Sequence, residues 1–350
     1  MRAPGVVHAG AMASETSSAR WWSRLPIEPF NLFIVGAVVL ATLLPATGRA
    51  GDLLGHVSTA AVVVLFFWQG AKLSPEQMKQ GLVHVRLHVA VFAATYGFFP
   101  LLGILLRPLG LRLLPSETYD GVLFLCTSPS TIQTAVVFVA IARGNVPAAL
   151  CAASLSSLAG VVLTPLWLRL LGVGTGTASV PWTAAWDLLL QLVLPLVLGQ
   201  LARRWIARWI EGRRKLLQRY DQGTIVLIVY VAFSHAVAAG LWSALSPTDF
   251  VMLAVLDAVI LALVLGFTTL LSRVLRFGKE DEITVVFCGS KKGLASGASI
   301  ANVLFPAEVV GVLLIPLMVF HQLQLMAAAA LAQRYARRSS GQQVEHQRSG

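Results

Sequence analysis

Apolar residues run through this chain in long stretches, not at the spacing of a surface helix or the alternation of a half-buried strand. A helix that crosses a bilayer needs about 20 mostly apolar residues. Such runs are predicted near 29–46, 55–72, 86–107, 119–142, 146–171, 183–203, 223–241, 249–272, 282–303 and 308–333. Very short turns join the fourth run to the fifth (Arg143-Gly144-Asn145) and the ninth to the tenth (around Pro306), which predicts two helical hairpins. A glycine-rich segment, 172–182, falls at the midpoint and separates five runs from five. Two related halves of odd span number enter a membrane from opposite sides, which is the layout of an inverted repeat. The expected organisation is an N-terminal tail (1–28), a first five-helix repeat (29–171), a linker (172–182), a second five-helix repeat (183–333) and a C-terminal tail (334–350). The linker glycines have no strand before them and no βαβ unit after them, so they are not read as a dinucleotide fingerprint.

Composition agrees with a lipid solvent. Of the 350 residues, 56% are hydrophobic and 12% charged, with a mean hydropathy of +0.74, whereas soluble domains carry about 25% charged residues. The fold class expected is an all-α integral membrane protein with ten transmembrane helices. The net charge of +11 lies between the apolar runs and at the ends. With ten spans, twenty-one of the 27 Lys and Arg residues fall on one side and four on the other. Basic residues flank spans on the cytoplasmic side, so the prediction is a multi-pass cell-membrane protein with both termini cytoplasmic. Seven basic residues between Arg203 and Arg219 are expected to face anionic lipid headgroups, not nucleic acid. The polar first 28 residues are not followed by the short apolar core and cleavage site of a removed signal peptide. Cys126, Cys151 and Cys288 lie inside apolar runs at spacings that match no metal site or disulfide framework.

Two runs depart from ordinary lipid-facing helix. In the fourth, Thr127, Ser128, Pro129, Ser130, Thr131, Gln133 and Thr134 crowd polar or helix-weakening residues into eight positions. Pro129 cannot donate to the helical ladder and clashes with the preceding turn. Backbone groups freed there need partners from protein or water. In the ninth run, Cys288-Gly289-Ser290-Lys291-Lys292-Gly293 combines glycines with two intramembrane lysines, followed by Gly297. A lysine at mid-bilayer costs about 2.5–3.5 kcal/mol on insertion scales, and such residues usually face a water-filled cavity or a partner. Both interruptions fall in the fourth span of their half, and matching interruptions point to a transporter's site. Half-helix N-termini there offer N–H groups to an anion. The candidate site is therefore Ser128, Ser130, Thr131, Gln133 and Thr134 facing Ser290, Lys291 and Lys292, with Ser156 and Ser157 of the fifth span across the hairpin and Asp257 of the eighth as a charge partner. Ser154, Asn302, His321, Gln322 and Gln324 are secondary polar candidates. The expected partners are a small organic anion, sodium or a proton, and membrane lipid. No catalytic constellation is present, so neither an enzyme nor a cofactor is predicted.

The segments "SPSTIQTAVVFVAIARGNVPAALCAASLSSLAGVVLTPL", starting at Ser128, and "FCGSKKGLASGASIANVLF", starting at Phe287, resemble the bile acid:sodium symporter-like superfamily. The nearest branch is that of solute carrier family 10 member 7 and its bacterial relatives, and the resemblance runs from about Pro29 to Arg338. It implies two inverted five-helix repeats arranged as a panel (spans one, two, six and seven) and a core (spans three to five and eight to ten). It also implies that discontinuous fourth and ninth helices cross at the binding site, and that access alternates as core moves against panel. Sodium-coupled members of the superfamily use an acidic residue in the ninth helix. The matching stretch here, Val285 to Lys292, carries Lys291 and Lys292 and no carboxylate, and Ala135 stands where the branch tends to have a serine. The resemblance therefore leaves two coupling ions open: sodium near Gln133 and Ser156, or a proton exchanged between the lysines and Asp257. Some eukaryotic members are associated with calcium regulation, which makes a non-transporting regulator of ion homeostasis the alternative function.

Overall fold

The computed structural model describes residues 29–72, 84–173 and 182–348. Within them, the side chains of Pro29, Asn31, Gln133, 182–192, Arg214, 243–244 and 338–348 are excepted. The tail 1–28 and most of the linker 172–182 lie outside the described residues.

Helix occupies each predicted apolar run, with breaks inside the fourth and the ninth, and there is no strand among the described residues. The elements are α1 (Pro29–Leu43), α2 (Gly48–Lys72), α3 (Val85–Leu105), α4 (Arg107–Leu113), α5 (Ser116–Thr127), α6 (Gln133–Ile141), α7 (Val146–Leu171), α8 (Trp182–Gly212), α9 (Arg214–Ala238), α10 (Leu241–Ala244), α11 (Pro247–Val274), α12 (Lys279–Gly289), α13 (Leu294–Leu304) and α14 (Ala307–Arg348). Among the described residues, six helices are long and apolar enough to cross a membrane: α2, α3, α7, α9, α11 and α14. The last runs on to Arg348, so helix occupies most of the stretch assigned from sequence to a C-terminal tail.

The outward surface explains why the chain is so apolar. On α11, Val251, Val255, Val259 and Leu263 are exposed at the four-residue spacing of one helix face, and Leu270 follows seven residues on. The opposite face buries Asp257, Thr268 and Ser272 together with Leu253, Leu256 and Ile260. An apolar outer face and a partly polar interior suit hydrocarbon and would be costly in water.

Packing divides the helices into two groups. α8 lies along α2, and α9 packs on both α1 and α2. Glycines set that closeness: a Cβ on Gly70 or on Gly199 would overlap a backbone carbonyl, that of Leu196 or Phe67 respectively. In the other group, α5 and α11 pack on α14, α12 packs on α3, α7 and α11, and α6 packs on α7. α9 joins the groups by packing on α13 and α14. The turn between α6 and α7 clasps the start of α12, where the Asn145 amide nitrogen donates to Asp281 at 2.9 Å while the Asn145 side-chain oxygen caps α7.

Candidate functional site

The two predicted interruptions are observed. α5 stops at Thr127, and Ser128 turns extended (φ −65°, ψ 150°), as the residue before a proline prefers. Helix resumes at Gln133. α12 stops at Gly289, Ser290 to Gly293 are non-helical, and α13 starts at Leu294.

The breaks cross and bond to one another. The Gly293 N–H donates to Pro129 O at 2.8 Å, and the Ser130 hydroxyl donates to Cys288 O at 2.8 Å. A Cβ on Gly293 would lie 3.3 Å from Ser130 O and 3.4 Å from Pro129 O, so glycine permits the close approach. The fifth predicted span supports the crossing from behind: Ser156 Oγ accepts from Ser130 N–H at 3.2 Å, and the Thr164 hydroxyl donates to Thr127 O at 2.8 Å. Tyr96 donates from its hydroxyl to Ser156 O at 2.6 Å. Gly160 admits this arrangement, because a Cβ there would come within 2.5 Å of Pro129 Cβ and 2.7 Å of the Tyr96 hydroxyl.

Lys292 is fully buried, and its ammonium donates to three backbone carbonyls: Thr95 O at 3.0 Å, Cys126 O at 2.9 Å and Ser128 O at 2.7 Å. Local sequence explains why these acceptors are open. Cys126 and Ser128 lie at the C-terminal end of α5, where carbonyls have no intrahelical partner and the helix dipole is negative. Thr95 lies in a π-helical turn of α3, Ala93–Phe98, in which the Phe99 N–H reaches back to Ala94 O. The next N–H in that register would take Thr95 O, but residue 100 is proline and has none. The Phe99 ring, 4.1 Å away, supplies a further face for the charge.

The Lys292 backbone is held separately. Its N–H donates to Gln324 Oε1 at 2.8 Å, and Gln324 Nε2 donates back to Lys292 O at 2.8 Å. Gln324 Nε2 also lies 2.9 Å from His321 Nδ1. Lys291 is buried beside the break with its ammonium 4.0 Å from the centre of the Phe138 ring. Ser290 donates to Val286 O at 2.6 Å, which closes the end of α12.

A cavity of about 740 Å³ opens beside this crossing, between the two groups of helices. Thr131, Ile132 and Thr134 at the start of α6, and Leu294, Ala295 and Ser296 at the start of α13, line it. Ser154 and Ser157 of α7 and His321 of α14 add polar groups, and Phe30, Phe33 and Leu65 supply apolar wall. At its other end lie Lys72, paired with Asp221 at 2.5 Å, and Arg203, which donates to Ala71 O at 2.7 Å. Thr131, Thr134 and Ser157 of the predicted set thus share the cavity. Ser128, Ser130, Ser156, Ser290, Lys291 and Lys292 are buried at the crossing and are not part of its lining. The Gln133 side chain lies outside the described residues. Asp257 is fully buried in α11, and among the described residues neither of its carboxylate oxygens has a hydrogen-bond partner. A sodium ion does not fit among the three carbonyls that hold Lys292, because the ammonium already fills them and a second cation there would be repelled.

Sequence reasoning missed the acceptors in α3 and the charged cavity end. A Thr95-Tyr96 pair five and four residues ahead of Pro100 in an apolar run was the available signal for the first. Lys72, Arg203 and Asp221 look like ordinary helix-end charges in sequence.

A family model described as the SBF-like CPA transporter family (DUF4137) matches residues 28–337. The chain is 49% identical over 311 residues to protein PA2026 of Pseudomonas aeruginosa, which is named as uncharacterised; the match spans 89% of this chain and 93% of that protein. It is 42% identical over 330 residues (92% and 97% of the two chains) to YfeH of Escherichia coli strain K12, named provisionally as a symporter. To sodium/bile acid cotransporter 7-B of Xenopus laevis it is 29% identical over 322 residues, covering 88% and 91%.

Proposed function

From the premise that this chain belongs to the SBF-like CPA transporter family, we propose that it is a secondary active carrier of a small organic anion, working by alternating access. The observation that carries the reading is the cavity into which the first turns of both resumed half-helices, α6 and α13, open. Helix N-termini carry unsatisfied N–H groups and a positive dipole end, which favour an anion. The C-terminal ends at the same crossing are occupied by the chain's own donors, Lys292 for α5 and Ser130 for α12. Positive helix ends therefore face the cavity while negative ones are already satisfied. The volume suits a small molecule, since ligand pockets run to about 300–1,000 Å³. The mixture of hydroxyls and apolar wall suits an anion with a hydrocarbon body.

In this reading the ten apolar runs are ten crossings of the cell membrane, arranged as inverted repeats 29–171 and 183–333 joined by 172–182. α1, α2, α8 and α9 form the panel, and the remaining spans form the core. The basic helix ends near Lys72 and Arg203 then lie on the cytoplasmic side with both termini, so the cavity is open inward. Substrate binds to Thr131 and Thr134 at the α6 start, Ser296 at the α13 start and Ser157 of α7. Lys291 and Lys292 act from behind the crossing as fixed positive charge, and Gln133, Ser128, Ser130, Ser156 and Ser290 shape it. A gradient of protons or sodium drives the cycle, and Asp257 is the carboxylate assigned to proton exchange.

The test is accessibility. Single cysteines at Thr134 and Ser296, in a chain with the native cysteines replaced, are treated with a membrane-impermeant thiol reagent from either face of oriented vesicles. A carrier exposes both positions to each face in turn, so labelling from both sides is expected. Labelling from one side only under every salt and pH tried would refute alternating access and favour a non-transporting regulator.

A further inference from the structure

We propose that the carbonyl oxygens of Thr95, Cys126 and Ser128 form a monovalent-cation site whose resident cation is the chain's own Lys292 ammonium. Removing that amine then turns the site into one for sodium or a small alkylammonium. The three oxygens come from two helices, lie within 2.7–3.0 Å of one nitrogen, and are buried with it. Each is left open by a local cause: the end of α5 frees two, and the absent N–H of Pro100 frees the third. Neutral carbonyls at a negative helix end, with the face of Phe99 beside them, offer partial charges only, which suits a single positive charge.

The site is structural glue as well as a charge trap. It ties α3 and the end of α5 to the interrupted stretch between α12 and α13, and the Lys292 ammonium gives each of the three carbonyls a donor away from bulk water. A tethered amine supplies that cation at every stage of a cycle. For the carrier reading, on which this consequence alone rests, no alkali ion enters or leaves at this point, so any sodium coupling uses other oxygens.

The experiment follows the melting temperature of the purified full chain in sodium, potassium, choline and methylammonium chlorides at matched ionic strength. The natural sequence is expected to melt alike in methylammonium and choline, because Lys292 already fills the site. Lys292→Ala is expected to melt lower in choline, a cation too large for the vacated space. Saturable recovery of at least about 2 °C is expected in methylammonium or sodium, since a ligand that binds only the folded state stabilises it. A Lys292→Ala chain that folds but shows no salt response beyond that of the natural sequence overturns the proposal. If that variant does not accumulate, it is expressed and purified with methylammonium chloride or choline chloride present throughout: folded chain recovered with methylammonium and not with choline supports the proposal, and no folded chain with either overturns it. These outcomes are independent of transport, so failure here leaves the carrier reading standing, and failure of the accessibility test leaves the cation site standing.

Discussion

Replacing Gln324 with leucine removes the clamp on the broken ninth span while keeping a side chain of similar size. Gln324 is only 2% exposed and holds both backbone groups of Lys292, accepting from its N–H and donating to its carbonyl, each at 2.8 Å. Leucine can do neither, so one buried N–H and one buried carbonyl lose their partner. Leaving such a group unsatisfied costs about 1–3 kcal/mol. The two together, less the gain from burying an apolar side chain in place of an amide, come to about 2–5 kcal/mol. At roughly 2 °C per kcal/mol for a chain of this size, the melting temperature should fall by about 4–10 °C. The assay is thermal unfolding in detergent at a fixed scan rate, because membrane proteins of this size commonly unfold irreversibly. Gln322→Leu, two residues away and half-buried, is the control and should change little. A Gln324→Leu chain that melts within about 1 °C of the natural sequence would refute the clamp, since even one unsatisfied buried group costs more than that.

Gly160→Val places a side chain where Pro129 and the Tyr96 hydroxyl already stand at 2.5 and 2.7 Å from a Cβ. Overpacking of this kind costs about 1–3 kcal/mol or more, and a lowered melting temperature with a broadened size-exclusion peak is expected. Asp221→Asn breaks the partly exposed pair with Lys72, whose side chains are 32% and 14% exposed for Lys72 and Asp221 respectively. The loss should be about 1 kcal/mol or less in dilute buffer and smaller still at high salt, read as a salt-dependent melting difference. Of the three cysteines, Cys151 lines the cavity while Cys126 and Cys288 are fully buried. Brief treatment of the folded chain with a small polar thiol reagent should therefore add one label, mapped by mass spectrometry to Cys151. Ser157→Trp, which fills part of the same cavity, should slow that labelling, and equal rates with and without the tryptophan would place Cys151 outside it.

The helical breaks were legible because they are local chemistry. Pro129 removes a donor wherever it sits in a helix, and Gly289 and Gly293 weaken one through backbone freedom. The hydroxyls around Pro129 were likewise readable as partners for freed backbone groups, and Ser130 and Ser156 act so. The direction taken by the lysines was not legible. From sequence they were expected to face Ser130, Thr131, Gln133 and Thr134. In the structure Lys292 turns to carbonyls of α3 and α5, and Lys291 lies over Phe138. Which way a long flexible side chain points depends on acceptors brought close from 164 to 197 positions away in the chain, and no spacing within one helix encodes that. The importance of Gln324 was hidden for the same reason: it was visible only as one member of a polar patch with His321 and Gln322.

By itself the sequence determined the solvent, the helical class and the two places where helices fail. Each of these follows from residue chemistry summed over a short window: apolar length against bilayer thickness, and proline or glycine against the helical ladder. Only the tertiary structure decided that the two failures cross, that a positive and a negative helix end at that crossing have different fates, and that a cavity opens on the positive ones. Those are relations between segments distant in the chain, set by packing at glycines such as Gly160 and Gly293 whose neighbours the sequence does not name.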